Sequence, residues 1–150
     1  MSDPETLVNA LSEKLGIGKT TFNDGLGAIQ FDEHIMNFHA DRERDELRCF
    51  LRVASIPADP ESRLALYRWL LIANSFGQGT GGGQLGIDEA ETFVTFARII
   101  PAGDLSAERL EIIVEIMLDM ADGFQREWAA LAPAGGSASS ASPGSHGLRA

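Results

Sequence analysis

The sequence has little cysteine and little basic charge, and each shortage excludes a class of protein. Its one cysteine, Cys49, cannot form a disulfide within the chain, which favours a reducing compartment. Its 12 Lys and Arg against 22 Asp and Glu give a net charge of −10, and such a surface repels nucleic acid and anionic membranes. Acidity that only keeps the protein soluble is the alternative interpretation.

The chain also lacks long apolar runs. No stretch approaches the ~20 consecutive apolar residues of a membrane span. The first residues, MSDPETLVNA, lack the basic start of a secretory signal. We therefore expect a cytoplasmic protein that binds no nucleic acid and is not stably inserted in a membrane.

What the sequence does contain is a change of hydrophobic period along the chain. Apolar residues share one helical face from residue 7 to 15, and they then alternate with polar residues in three successive runs. Such alternation is typical of antiparallel strands with one buried face. The next helix opens at Asp59 and Pro60 and is apolar almost all round from Leu64 to Phe76, where Gly77 ends it, so it needs cover on more than one side.

Two more strands, Gln84 to Asp88 and Thr92 to Ile100, and a third helix with Ser106 as its N-cap complete the pattern. The predicted fold is α+β, with three helices packed on a twisted antiparallel sheet of about five strands, in the order α-β-β-β-α-β-β-α. One domain is expected over residues 1–131. Residues 132–150 are mostly Ala, Gly, Ser and Pro, and a disordered tail is predicted there.

Two glycine patterns resemble phosphate-binding motifs. Gly77, Gly79 and Gly82 match G-x-G-x-x-G, but a helix precedes them and a strand follows, which reverses the order that a dinucleotide site needs. Gly18-Lys19-Thr20 resembles the end of a phosphate loop, but no strand precedes it. A tight connection between helix and strand is the expected use of the first pattern.

No catalytic or metal-binding set stands out in the sequence. His34 and His39 lie five residues apart on a predicted strand and so face opposite sides, which disfavours a shared metal ion. Cys49 lies on the apolar side of an alternating strand, so an inert buried thiol is expected. The carboxylates cluster in turns and on polar helix faces, so we expect neither an enzyme nor a cofactor.

Several segments, taken in order, resemble the Tir-chaperone (CesT-like) class of type III secretion chaperones. The sequence Leu70-Leu71-Ile72-Ala73-Asn74 is similar to the close of the family's second helix. The glycine turn 79–82 followed by Leu85-Gly86-Ile87-Asp88, and then Arg98-Ile99-Ile100-Pro101, resemble the turn and strands that follow. The resemblance covers roughly Thr6 to Trp128.

The resemblance implies a homodimer in the bacterial cytoplasm that binds the N-terminal, non-globular region of a secreted effector. In this family the effector adds strands to sheet edges and docks apolar side chains into patches, and the chaperone itself uses no ATP. A dimeric adaptor or regulatory protein of the same fold without a secretion role is the alternative. A nucleotide-dependent enzyme that uses the 77–86 loop is a third hypothesis.

Two sets of apolar residues are the candidate contact surfaces. The first helix and the early sheet are assigned to the effector, and the residues are Val8, Leu11, Ile29, Phe31, Met36 and Phe38. The second helix and the following strands are assigned to the dimer contact, and the residues are Trp69, Ile72, Phe76, Leu85 and Phe93. Ordinary core packing is the alternative for every one of these residues.

Overall fold

The computed structural model of the chain describes residues 3–131, so the predicted tail at 132–150 lies outside the described residues. The helices are α1 (Pro4–Lys14), α2 (Pro60–Asn74) and α3 (Ala107–Leu131). The strands are β1 (Leu26–Phe31), β2 (His34–Asp41), β3 (Glu46–Ser55), β4 (Gln84–Ile87) and β5 (Phe93–Pro101). This confirms the predicted α+β class and the predicted order of elements.

The five strands form one sheet in the order β1-β2-β3-β5-β4, so β1 and β4 are its edges. Strands β1 and β2 pair antiparallel, with Ile29 opposite Met36, and β2 and β3 pair antiparallel, with Phe38 opposite Cys49. Residues that face each other in this register share one face of the sheet, because side chains alternate along each strand. All four of these side chains are buried.

The chain divides into two compact units, each with its own buried side chains. Within the described residues, one unit comprises 3–52 and 96–119, and the other comprises 53–95 and 120–131. The first unit buries side chains from both its helices and its strands: Val8, Phe38, Leu47, Leu51, Phe96, Leu110 and Met117. The second unit buries a smaller set: Val53, Leu66, Leu70, Leu85, Val94 and Trp128.

Each helix begins at a side-chain cap. Asp3 and Asp59 accept hydrogen bonds from the backbone N–H groups of Thr6 and Ser62, at 3.2 and 2.9 Å, and a proline occupies the first turn of both helices. Ser106 Oγ accepts from the N–H of Arg109 at 3.1 Å. These bonds satisfy N–H groups that lack a partner inside a helix, and the predicted caps Asp59 and Ser106 are confirmed.

The second helix ends earlier than the hydrophobic pattern predicted. It stops at Asn74, and a single turn of 3₁₀ helix follows over Ser75–Gly77. Phe76 lies in that turn with φ 56° and ψ 16°, so it belongs to the turn and not to the helix. The prediction that the helix runs to Phe76 is therefore wrong, because the backbone leaves the helical region before the apolar run ends.

The turn between β4 and β5 is held by one carboxylate. Asp88 Oδ1 accepts from the N–H groups of Phe93 and Thr92, at 2.6 and 2.7 Å. The N–H of Phe93, and next that of Thr92, stabilise the charged form and hold the pKa of Asp88 below its usual range. Because the folded-state pKa is depressed, the stabilisation is present above the unfolded pKa and is lost as the pH falls through the folded value.

We expect Asp88→Asn to make the stability of the chain less dependent on pH in the acidic range. The amide oxygen can still accept a hydrogen bond, but it carries no charge to lose on acidification. Urea denaturation of both proteins between about pH 6 and about pH 3 measures the difference. Glu89→Gln in the same turn is the matched control, and an unchanged pH dependence in Asp88→Asn would contradict the prediction.

Candidate functional site

The structure places most of the predicted effector-binding residues in the core. Val8, Met36 and Phe38 are fully buried, and Ile29 and Leu11 are 2% and 3% exposed. Phe31, the last residue of β1, is half-buried. A buried side chain offers no surface to a partner, so within this set only Phe31 can contact an effector without rearrangement of the domain.

Among residues 3–131, nothing pairs with part of the backbone of strand β1 at the edge of the sheet. The N–H of Ala40 donates to the carbonyl of Gly25 at 2.8 Å, which shows that residue 25 faces β2. Antiparallel pairing alternates, so Leu26, Ala28 and Gln30 turn their backbone groups away from β2. Leu26 exchanges two 2.9 Å hydrogen bonds with Asn23 on that outer side. The backbone groups of residues 28 and 30 therefore form the open part of this edge.

The side chains beside this open edge are exposed and partly apolar. Leu26 is 48% exposed on β1, and Ile35, which lies one strand further in on β2 and opposite Gln30 in the register, is 53% exposed. Both lie on the sheet face that is opposite to buried Ile29 and Met36, since neighbouring residues alternate between faces. The edge strand β1 thus combines open backbone groups with the exposed apolar side chains of Leu26 and Ala28 at alternate positions.

The opposite edge of the sheet is covered by a side chain. The N–H of Leu85 in β4 donates to Asn74 Oδ1 at 2.9 Å, and Asn74 Nδ2 donates to the Leu85 carbonyl at 2.7 Å. The amide of Asn74 therefore takes the two backbone bonds that an added strand would need at Leu85. Between the two edges, β1 is the more accessible to an added strand.

The residues predicted for the dimer contact have mixed surroundings. Phe76 is 96% exposed and Ile72 is 54% exposed, whereas Leu85 is 5% exposed. Trp69 and Phe93 are half-buried. Leu85 packs within its own unit and holds β4 to α2 through Asn74, so it offers little surface to a second copy.

The exposed face of α2 is larger than the predicted set. Leu64 and Leu71 are 69% and 74% exposed, and they extend the surface formed by Ile72 and Phe76. On the other side of the same helix, Leu66, Leu70 and Ala73 are buried. The apolar character all round the helix therefore divides into a covered side and an uncovered side, and we call the uncovered side (Leu64, Leu71, Ile72 and Phe76) the α2 face.

Three aromatic rings form a cluster between α2 and the last turns of α3. The ring centroid of Trp69 lies 5.6 Å from that of Phe124 and 5.4 Å from that of Trp128, in edge-to-face geometry. Phe124 and Trp128 stack at 5.6 Å with an interplanar angle of 15°. Such arrangements stabilise aromatic pairs beyond simple burial.

A pocket of about 670 Å³ opens beside this cluster. Its walls come from α2, from the glycine-containing loop and from the end of α3, and they are Ala65, Arg68, Trp69, Ile72, Ala73, Gln78, Gly79, Phe124, Glu127 and Leu131. Phe124 and Leu131 were not among the predicted contact residues. Their only signal in the sequence is their helical spacing in α3, which also fits ordinary core positions.

The central glycine of the G-x-G-x-x-G pattern, Gly79, allows the loop to pack closely against α2. A Cβ on Gly79 would lie 2.9 Å from both the Cα and the carbonyl oxygen of Ala73, so only glycine lets the loop approach α2 this closely. Gly77 and Gly82 have φ values of 68° and 91°, which suit glycine. The loop is thus a tight connection from helix to strand, as the order of elements predicted.

Cys49 is fully buried, and burial raises the pKa of its thiol to about 12.

Within residues 3–131, no group of three or more His, Cys, Asp or Glu side chains is placed to hold a metal ion. None of the helices in this range combines the length and apolar character that a membrane crossing requires.

Comparison with known proteins identifies the family. No curated protein matches the chain in sequence. Among solved structures, a chain of the HopA1–SchA chaperone–effector complex matches with a TM-score of 0.67 and 20% identity, over 81% of this chain and 91% of that one. A chain of the ExsC–ExsE complex matches with a TM-score of 0.68 and 21% identity, over 83% and 96%.

A third structure is that of the type III secretion chaperone SycH of Yersinia pestis with a stable fragment of YscM2. It matches with a TM-score of 0.61 and 21% identity, over 79% of this chain and 97% of that one. At such identities these structures establish the shared fold. The family model of the Tir chaperone proteins matches residues 6–125, which is most of the chain. The chain therefore belongs to the Tir chaperone protein (CesT) family.

Proposed function

We propose that this protein is a chaperone of the bacterial cytoplasm that binds the N-terminal, non-globular region of a type III secreted effector. Membership of the Tir chaperone family supports the proposal. The solved structures of similar fold include a chaperone–effector complex and a type III secretion chaperone with a bound fragment. The observation that carries it here is the open edge of β1 with its exposed side chains Leu26 and Ala28.

The open edge suits an extended chain. An effector segment that aligns beside β1 would exchange backbone hydrogen bonds with Ala28 and Gln30, and this requires no particular effector sequence. Its alternate side chains would contact Leu26 and Ala28, the exposed apolar side chains of β1, which supplies apolar contacts and a register. The Asn23–Leu26 bonds limit the register, since they occupy the backbone groups of the first residue of β1.

Holding an effector in this way keeps it soluble and ready for export. The side of the bound segment that faces β1 can no longer pair with other exposed strands, because the backbone groups on that side are already engaged. The net charge of −10 opposes association between loaded chaperones. Binding of this kind changes no covalent bond, so the proposal assigns no catalytic residue, cofactor or ATP hydrolysis to the chain.

We further propose that the protein is a homodimer that associates through the α2 face. Contiguous exposed apolar surface of this kind marks interaction sites in soluble proteins. Trp69, Ile72 and Phe76 remain in the proposed contact. Phe93 is half-buried in β5, and Leu85 is buried and held by Asn74, so both offer less surface to a second copy than the α2 face does.

The proposal predicts that the protein captures a segment near the N-terminus of an effector and shields it from protease. The test is co-purification with secreted proteins encoded beside its own gene, followed by limited proteolysis of the complex and mass spectrometry of the surviving fragments. A segment of equal length from the C-terminal half of the same effector is the control. Capture of a folded partner with no shielded segment would instead favour the adaptor alternative.

A further inference from the structure

The indole ring of Trp128 carries a buried N–H group that has no acceptor among the described residues. The side chain is 8% exposed, and within residues 3–131 no oxygen or nitrogen accepts a hydrogen bond from its Nε1. A buried donor without an acceptor costs free energy, so native proteins rarely leave one in that condition. A partner from outside this range of the chain is therefore expected for Nε1.

A pocket in the second unit, which we call the Trp128 pocket, gives access to this ring. It has a volume of about 380 Å³, and its walls include Val53, Pro57, Leu66, Trp128, Ala129 and Leu131. Elsewhere the indole contacts the rings of Trp69 and Phe124, which carry no acceptor oxygen or nitrogen. An acceptor for Nε1 therefore has to enter through the pocket.

The size and chemistry of the Trp128 pocket fit a short piece of polypeptide. Its volume falls in the range of about 300–1,000 Å³ that is typical of ligand sites, and it is many times the ~30 Å³ share of one water molecule. Gln125 Nε2 donates to the carbonyl of Val53 at 2.6 Å, so that carbonyl is already engaged. A fitting occupant combines an apolar side chain with one hydrogen-bond acceptor for Trp128, and a peptide backbone supplies such acceptors.

We propose that the C-terminal segment of this chain, residues 132–150, folds back and occupies the Trp128 pocket. Leu148 packs among the apolar walls, and a backbone carbonyl of the segment accepts the hydrogen bond from Nε1 of Trp128. The pocket is thus an internal binding site for the end of the same chain. This proposal does not depend on the chaperone function put forward above.

The segment begins at the rim of the pocket. Ala129 and Leu131 both line the pocket, and Leu131 is the last residue that the structure describes. Segments of similar length that are rich in Gly and Ser have end-to-end distances of roughly 20–25 Å and present their ends at effective concentrations in the mM range. Closure of such a loop costs little more than closure of a shorter one. A contact of modest strength is therefore sufficient to hold the segment in place.

The composition of the segment identifies Leu148 as the residue that docks. It is the one large apolar residue in 132–150, and the other residues are Ala, Gly, Ser and Pro with His146 and Arg149. The segment contains no Asp or Glu, whereas the whole chain has a net charge of −10, so the acidic domain does not repel it. Docking of one leucine also leaves the rest of the segment free of structure, in agreement with its composition.

The first test follows the indole N–H signals of Trp69 and Trp128 by NMR in the full-length protein. Leu148→Ser should speed the hydrogen exchange of the Trp128 N–H by about tenfold or more, because the docked acceptor is lost. It should also lower the melting temperature by about 2–5 °C. His146→Ser, which shortens a polar side chain two residues away, is the matched control and should leave exchange within about twofold. Unchanged exchange and melting in Leu148→Ser would overturn the proposal.

The second test detects the contact directly in the wild-type protein. A nuclear Overhauser effect is expected between the methyl protons of Leu148 and the indole N–H proton of Trp128. In an equimolar mixture of isotope-labelled and unlabelled protein, the effect should arise within one chain and not between chains. An effect between chains would place the segment in the pocket of a second copy, and the absence of any effect would leave Leu148 undocked. Either result contradicts the proposed fold-back.

Discussion

Phe38→Ala is expected to lower the free energy of unfolding by about 3–5 kcal/mol, the range for removal of a large aromatic side chain from a core. Phe38 is fully buried in β2, where it lies opposite Gly27 on one side and Cys49 on the other. Glycine opposite the ring cannot fill the resulting cavity. Since domains of this size are stable by only about 5–15 kcal/mol, the variant should melt at a much lower temperature. Urea denaturation followed by circular dichroism measures the loss.

Phe31→Ala is the matched control for this prediction. Phe31 is half-buried at the end of the edge strand β1, so its replacement should cost only about 1 kcal/mol. At a temperature where both variants are folded, Phe38→Ala should still capture an effector segment. A Phe38→Ala protein with unchanged stability and no capture would instead place Phe38 on the effector surface.

Gln30→Pro is expected to weaken effector capture by about 10- to 100-fold, because proline removes an outward N–H at the open edge of β1 and its ring obstructs an added strand. The change should cost little stability, since the backbone of Gln30 faces away from β2 and proline is tolerated on edge strands. Isothermal titration with the protease-shielded effector segment measures affinity, and a thermal melt checks that the variant is folded.

The control for Gln30→Pro is a proline on the other edge of the sheet. Ile87 lies two residues beyond Leu85 in β4, so its backbone also faces away from the neighbouring strand. Ile87→Pro should leave capture within about twofold, because Asn74 already covers that edge at Leu85. Equal losses with both variants, or a loss with Ile87→Pro alone, would contradict the assignment of effector binding to β1.

The hydrophobic period of the sequence was sufficient to predict the fold. Alternation identified the strands, and an aspartate or serine before an apolar run identified the starts of α2 and α3. Asp59 and Ser106 do bond the N–H groups three residues later, because short polar side chains at these positions satisfy donors that the helix leaves unpaired. Local chemistry determines these features, so one sequence is enough to predict them.

The candidate contact surfaces were harder to predict from the same pattern. Alternation shows that Ile29, Met36 and Phe38 share a face, but it does not distinguish a face covered by the chain's own helices from one that binds a partner. These three residues are buried. The open edge of β1 involves backbone groups, which every residue carries, and so it leaves no trace in side-chain composition.

The α2 region shows a second reason for the shortfall. A helix that is apolar all round gives no contrast between its sides, so the sequence could not tell buried Leu70 from exposed Leu71. The bonds between Asn74 and Leu85 join a helix end to a strand across the glycine-containing loop. Nothing about an asparagine or a leucine in the sequence predicts that contact. The exposure of Phe76 likewise depends on a backbone turn, which precedes the close approach of Gly79 to Ala73.

Because Cys49 is buried, the natural chain should give little background reaction with thiol-labelling reagents. Its sulfur is inaccessible, and with the pKa raised to about 12 the thiol stays protonated near neutral pH. Maleimide dyes and thiol-reactive spin labels should therefore not react with it. A cysteine introduced on the surface would then be the sole reactive position. Pairs of such probes would report distances by resonance energy transfer or electron paramagnetic resonance without any prior removal of the native thiol.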